Sequence, residues 1–171
     1  MAATHVVIVG LMGAGKTSIG KRVAKRLGRL FVDSDEELER ETGKTARRLL
    51  ADEGVDSLHA REAAVVDAAL ASGDPLVIGA PASIVLQADM RDRLRREHTV
   101  WLRADPHWLT EKMAHSDNEQ RPFVDTDPDV LVRLHAERAP LYEEVASVVA
   151  ESTGRDKDEV ADEIVERLGL T

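Results

Sequence analysis

The chain has 171 residues, of which 43% are hydrophobic and 32% charged, with a formal net charge of −9 and no cysteine. That length supports one domain, spanning 1–171, with a real core, and the missing cysteines exclude disulfides and thiolate metal or redox sites. A net negative chain lacks the basic footprint that nucleic acid demands, aromatic residues at 3% are too few for a stacking platform, and no run approaches the roughly 20 apolar residues of a membrane span.

Residues 5–10 (HVVIVG) form a short β-branched apolar run, which predicts a buried strand. Met1 leads almost directly into it without a basic and then apolar leader, so no secretory signal is expected. The expected protein is cytoplasmic and monomeric, with no nucleic-acid or membrane partner. Residues 16–27 repeat apolar side chains at Ile19, Val23, Ala24 and Leu27, a helical spacing that Gly28 ends. Residues 30–33 read as a second strand. Short polar helices over 35–41 and 45–53 are broken by Gly43 and Gly54, and a longer helix over 57–72 carries Ala63, Val66 and Leu70 on one stripe. Residues 75–80 (PLVIGA) predict a third strand, 87–97 a helix, and 99–103 (TVWLR) a fourth strand. Pro106 suits the first turn of a helix over 106–115. Residues 116–127 are polar and aperiodic. A helix over 128–146 meets Pro140, where a kink is expected. A fifth strand over 147–151 and a closing helix over 156–168 complete the chain. Strands alternating with helices predict an α/β fold with a parallel sheet covered on both faces.

Residues 10–17 read Gly-Leu-Met-Gly-Ala-Gly-Lys-Thr, matching G-x-x-x-x-G-K-[ST]. Chance gives this pattern in a chain of this length on the order of half a per cent of the time, and here it also sits between a predicted strand and a predicted helix. Glycines let the loop turn its N–H groups onto phosphate oxygens, and the helix that follows adds its positive end. Gly13, Ala14, Gly15, Lys16, Thr17 and Ser18 are therefore the candidate nucleotide contacts. Lys16 reaches the β- and γ-phosphates, and Thr17 is a ligand for Mg²⁺. GTPases normally read guanine with Asn-Lys-x-Asp. The only asparagine is Asn118, in Asp-Asn-Glu-Gln, so ATP is the expected nucleotide and a small-molecule kinase suits the length.

Asp33 and Asp35 follow the second strand, at the sheet edge where α/β proteins bind ligands. One carboxylate there can hold Mg²⁺ and the other can accept the proton of an attacking hydroxyl. The competing reading is that Asp35 only caps the helix after it.

With these residues in view the sequence resembles the shikimate kinases, over nearly its whole length. The resemblance rests on the opening Gly-Leu-Met-Gly-Ala-Gly-Lys-Thr-Ser-Ile-Gly, on Phe31-Val-Asp-Ser-Asp35 followed by Gly43-Lys44-Thr45, on Arg121-Pro122, and on Arg138-Ala-Pro-Leu-Tyr142. It implies a P-loop fold with a five-stranded parallel core, a mobile lid at about 113–127, and transfer of the γ-phosphate of ATP to a shikimate hydroxyl with Mg²⁺. It also implies roles. Lys16 and Thr17 hold phosphate and metal, and Asp33 is the acid near Mg²⁺. Asp35 bonds the acceptor hydroxyl as base, Arg121 is the lid arginine, Lys112 stands where an arginine stacks on the base, and Arg138 pairs with the shikimate carboxylate. Glu62 supports the pocket through an ion pair.

Two departures fall in the acceptor pocket. His59 stands where the family's first carboxylate-binding arginine belongs, and a neutral imidazole cannot present a charged fork. Arg61, two residues on, points elsewhere on a helix. Ala80-Pro81-Ala82 replaces three glycines, and Pro81 has no N–H to offer. His59, Pro81 and Ala82 join Asp35 and Arg138 as acceptor-facing candidates. Three functions stay open: a shikimate kinase with a compensated pocket, a kinase of another acceptor such as a cyclitol or sugar, and a nucleotide-binding sensor. The other histidines show no metal-ligand spacing, and Trp101 and Trp108 read as packing residues.

Overall fold

The computed structural model describes residues 4–115 and 128–170. Five parallel strands form one sheet: β1 (Val6–Val9), β2 (Phe31–Asp33), β3 (Val77–Gly79), β4 (His98–Arg103) and β5 (Val148–Glu151), in the order β2-β3-β1-β4-β5. β1 lies at the centre, with Val6 beside both Val77 and His98 and Ile8 beside both Gly79 and Val100. All four of its residues are buried. A strand covered on both faces has no polar side to show, which is why its sequence is an unbroken apolar run rather than an alternation.

Eight helices are seen among the described residues: α1 (Lys16–Leu27), α2 (Ser34–Thr42), α3 (Ala46–Glu53), α4 (Val55–Leu70), α5 (Ala88–Leu94), α6 (Pro106–Ala114), α7 (Pro128–Val145) and α8 (Lys157–Leu168). Local chemistry sets their ends. Gly28, Gly43 and Gly169 close α1, α2 and α8 in the left-handed conformation, and Thr45, Asp105 and Asp156 cap α3, α6 and α8 through their side chains. α2 is capped by Asp33, which accepts from the N–H groups of Asp35 and Glu36. The capping reading of Asp35 is thereby corrected: the residue before the helix does that work and leaves the Asp35 side chain for other partners. α7 runs through Pro140 as one helix. Sequence periodicity missed the single 3-10 turn at Ile84–Leu86, because three residues are too few to show a period. No helix among the described residues is long and apolar enough to cross a membrane.

The chain fills the β2-β3 side of the sheet first and then turns to the β4-β5 side. The reversal lies beside β1, and crevices at such reversals bind ligands beyond the carboxyl ends of the strands. Gly10, Ser34 and Ala80 leave those ends. The main core packs both sides of the sheet, while a smaller cluster of Leu38, Ala46, Leu49, Leu58 and Val65 ties α2, α3 and α4 together. That second core fixes α4 against α2, and both helices contribute to the cleft described next.

The fit of α1 against β2 uses two glycines. A Cβ on Gly20 would come within 2.4 Å of Phe31 Cε2, and one on Gly79 within 3.0 Å of Phe31 Cζ. The Phe31 ring thus fills space left by both, so it cannot swing away from one without meeting the other. Gly20→Ala gains helix propensity of about 1 kcal/mol but overpacks the contact. We expect a net loss of about 1–2 kcal/mol, seen as a thermal midpoint lowered by a few degrees.

Candidate active site

The loop after β1 turns through Gly10, Gly13 and Gly15, each with positive φ. Gly15 precedes α1 in the left-handed conformation, and the first turn of α1 has neither a side-chain cap nor an acidic residue. The N–H groups there are therefore left to a ligand, next to the positive end of the helix dipole. Lys16 Nζ donates to the carbonyls of Gly10 at 2.7 Å and Leu11 at 3.1 Å, folding the ammonium back over its own loop. At Gly10 only glycine fits, since a Cβ would lie 2.6 Å from the Leu102 carbonyl oxygen.

Thr17 and Asp33 meet across the start of α1 and the end of β2. Thr17 Oγ1 donates to Asp33 Oδ2 at 2.7 Å, while Asp33 Oδ1 accepts from the Asp35 N–H at 2.9 Å. The cap therefore orients the same carboxylate that faces the P-loop threonine. A hydroxyl and a carboxylate beside a phosphate cradle are hard oxygen donors, the set that suits Mg²⁺. No cluster of three or more histidine, cysteine or acidic residues able to hold a metal occurs among the described residues.

A cleft of about 350 Å³ opens over this loop. Gly13, Gly15, Lys16, Thr17, Ser18 and Lys112 line it together with Asp35, His59, Pro81, Ala82 and Arg138. The kinase reading required Lys16, Asp35 and Arg138 to converge, and they share this cleft. Lys112 Nζ donates to the Gly13 carbonyl at 3.1 Å and lies 4.8 Å from the centroid of the Trp108 ring. Ala14 does not line the cleft: it is buried, and its N–H closes a turn onto the Leu11 carbonyl at 3.2 Å. Arg121 and residues 116–127 of the expected lid lie outside the described residues.

Among the acceptor-facing candidates, Arg138 is buried at 5% exposure, and its Nε has no hydrogen-bond partner among the described residues. On a helix face Arg138 could pair with a neighbour such as Glu137 or Glu144. Instead Glu144 is taken by Arg91 at 2.9 Å and Arg95 at 3.0 Å. Buried unsatisfied donors are rare in folded proteins and call for a ligand or a reason. Arg61 does point away, onto Glu53 at 2.9 Å, so it does not replace the fork that His59 lacks. Burial, and after it the Arg138 charge, holds the His59 pKa below its ordinary value, against the pull of Asp56. The Ala82 carbonyl accepts from Tyr142 Oη at 2.6 Å, and the Tyr142 ring stacks on Trp101 at 5.7 Å. The loop after β3 is thus pinned from α7.

Three lining residues went unmarked in the sequence, and a fourth was underrated. Glu62 is buried in the cleft wall and accepts from Ser83 Oγ at 3.0 Å. Burial pushes its carboxyl up to about 7, with the Asp35 charge adding and Ser83, Arg138 and Lys16 opposing. Its position three residues after His59 on a helix was the available signal. Ser83, Met12 and Lys157 also line the cleft. Lys157 sits at the start of α8, more than a hundred residues from the P-loop, and only the packing of α8 on α1 brings it there.

A family model described as shikimate kinase matches residues 12–169. The chain is 39% identical over 168 residues to the shikimate kinase of Symbiobacterium thermophilum, covering 96% of this chain and 95% of that one. Its structure resembles that of the shikimate kinase from Acinetobacter baumannii in complex with shikimate, with a TM-score of 0.88 at 29% identity over 97% of this chain and 93% of that one. A gluconokinase from Sinorhizobium meliloti aligns with a TM-score of 0.65 at 20% identity, over 97% of this chain and 91% of that one, which is a likeness of fold alone.

Proposed function

This chain belongs to the shikimate kinase family, and on that premise we propose that it transfers the γ-phosphate of ATP to a hydroxyl of shikimate. It is an ATP-dependent kinase. The observation that carries the acceptor assignment is the shared cleft of Lys16, Asp35 and Arg138, with the Arg138 Nε buried and without a hydrogen-bond partner among the described residues. Shikimate offers a carboxylate for that guanidinium and hydroxyls for Asp35.

The P-loop N–H groups and Lys16 hold the phosphates and offset charge that builds on them in transfer. Thr17 and Asp33 would hold Mg²⁺, which when bound neutralises phosphate charge. Arg138 holds the acceptor carboxylate and so turns one hydroxyl toward Asp35. Asp35 accepts that hydroxyl's proton as its oxygen bonds to the γ-phosphorus. The bond from that phosphorus to the bridging oxygen breaks, and ADP leaves with the electron pair. Arg121 is assigned to the phosphates by its place in the Arg121-Pro122 motif.

His59 and Ala80-Pro81-Ala82 favour a second reading, a cyclitol or sugar as acceptor, because the pocket lacks one permanent cation and one N–H donor. Mass spectrometry of a reaction offered shikimate, inositols and gluconate together separates the two. One added phosphoryl group on shikimate supports the first reading. Phosphorylation of an inositol or of gluconate, with shikimate left unchanged, overturns it.

A further inference from the structure

The cleft lining sets one permanent cation near enough to two titratable groups to act on both. Arg138 is the cation. Glu62, 6% exposed, shares the cleft wall with it. His59 lies three residues before Glu62 on α4 and lines the same cleft, and residues three apart on a helix share a face. We propose that His59 sets the acceptor specificity of this pocket, and that His59 and Glu62 together make its hold on a carboxylate-bearing acceptor depend on pH. The inference rests on the reading of shikimate as the acceptor.

Other charges facing these two groups do not cancel the effect. From α2 comes Asp35 and from α1 Lys16, both acting on Glu62, and from α7 comes Arg138, acting on both. Tyr142, also on α7, stays a neutral phenol, its pKa raised by burial to about 12. On α3, Glu53 is taken by Arg61, and Asp52 by Lys44 and Arg48. On α4 itself Asp56 opposes the lowering of His59, after burial and Arg138 in size.

The sign follows from these surroundings. An ionised Glu62 competes with an acceptor carboxylate for Arg138 and repels it. With its carboxyl pushed up to about 7, Glu62 is mostly anionic near pH 8 and mostly neutral near pH 6. His59 is held below its ordinary value by burial and the Arg138 charge, and a bound carboxylate would favour its charged form. Both protonations favour the acceptor anion, so binding takes up protons and affinity falls as pH rises. A pocket with arginine at position 59 would keep its charge throughout.

The test is the KM for shikimate and for ATP at about pH 6, 7 and 8, in the wild type, His59→Arg, His59→Asn and Glu62→Gln. In the wild type the shikimate KM rises about tenfold from pH 6 to pH 8, as one linked proton allows, while the ATP KM stays level. His59→Arg lowers the shikimate KM at pH 8 by about tenfold or more, as a charged fork on a carboxylate provides. His59→Asn raises it only at the acid end. Glu62→Gln, which keeps an acceptor oxygen for Ser83, removes the change around pH 7. A shikimate KM that is level in the wild type, or that slopes equally in all variants, overturns the inference and leaves the acceptor reading standing. No shikimate-dependent turnover at any pH, with ATP still bound, overturns the acceptor reading and this inference with it.

Discussion

Asp35→Asn is expected to slow phosphoryl transfer by about 10²–10⁴-fold, the usual contribution of a positioned general base, with nucleotide affinity unchanged. The substitution removes the proton acceptor while keeping side-chain size. It also spares the local frame. Asp33, not Asp35, caps α2, and what Asp33 takes from residue 35 is its backbone N–H at 2.9 Å, which asparagine retains. The Lys16 bonds to the Gly10 and Leu11 carbonyls and the pairing of Thr17 with Asp33 are made to groups other than the Asp35 side chain. Steady-state ADP release with saturating ATP measures the first expectation, and calorimetric titration with a non-hydrolysable ATP analogue measures the second. Turnover at the wild-type rate would remove Asp35 from its role and direct attention to Glu62, the other carboxyl in the cleft.

Lys16→Met is expected to lower kcat by about 10²–10³-fold, the scale for losing one preorganised charge-stabilising donor. Methionine keeps the length and apolar character of the stem and loses only the ammonium. The ammonium now bonds the carbonyls of Gly10 and Leu11, two contacts within its own loop, so a small drop in the stability of the free protein accompanies the change. The two effects separate by measurement. A melting curve shifted slightly, together with a collapse in kcat, places the function of Lys16 on the phosphates. A collapse in melting temperature with near-normal turnover in the cold would mean that Lys16 serves the loop's own folding.

These two residues were readable because their chemistry is local. The P-loop is contiguous, and the acids follow a strand whose edge is the ligand edge of any such sheet. The strands were readable for a similar reason: β1, buried on both faces, must be apolar throughout, and the caps Thr45, Asp105 and Asp156 lie where the helical patterns begin. Features that depend on three-dimensional packing were harder to read. Which of Asp33 and Asp35 caps α2 depends on a single backbone conformation, that of Asp33 in the extended region. Lys157 enters the cleft only because α8 packs on α1. The resemblance gave Glu62 only a supporting ion pair, and its burial and its bond from Ser83 appear only in three dimensions. The fate of Arg138 also needed coordinates: Glu144, a possible partner on the same helix, is occupied by Arg91 and Arg95.

The cleft of Lys16, Asp35 and Arg138 is expected to take shikimate although His59 and Ala80-Pro81-Ala82 stand where the resemblance implies an arginine and three glycines. The most direct measurement is the initial rate of ADP release with ATP and Mg²⁺, with and without shikimate, over a range of shikimate concentrations near neutral pH. Saturable, shikimate-dependent release is the predicted result. Intact ATP binding with a rate that shikimate does not change would contradict it.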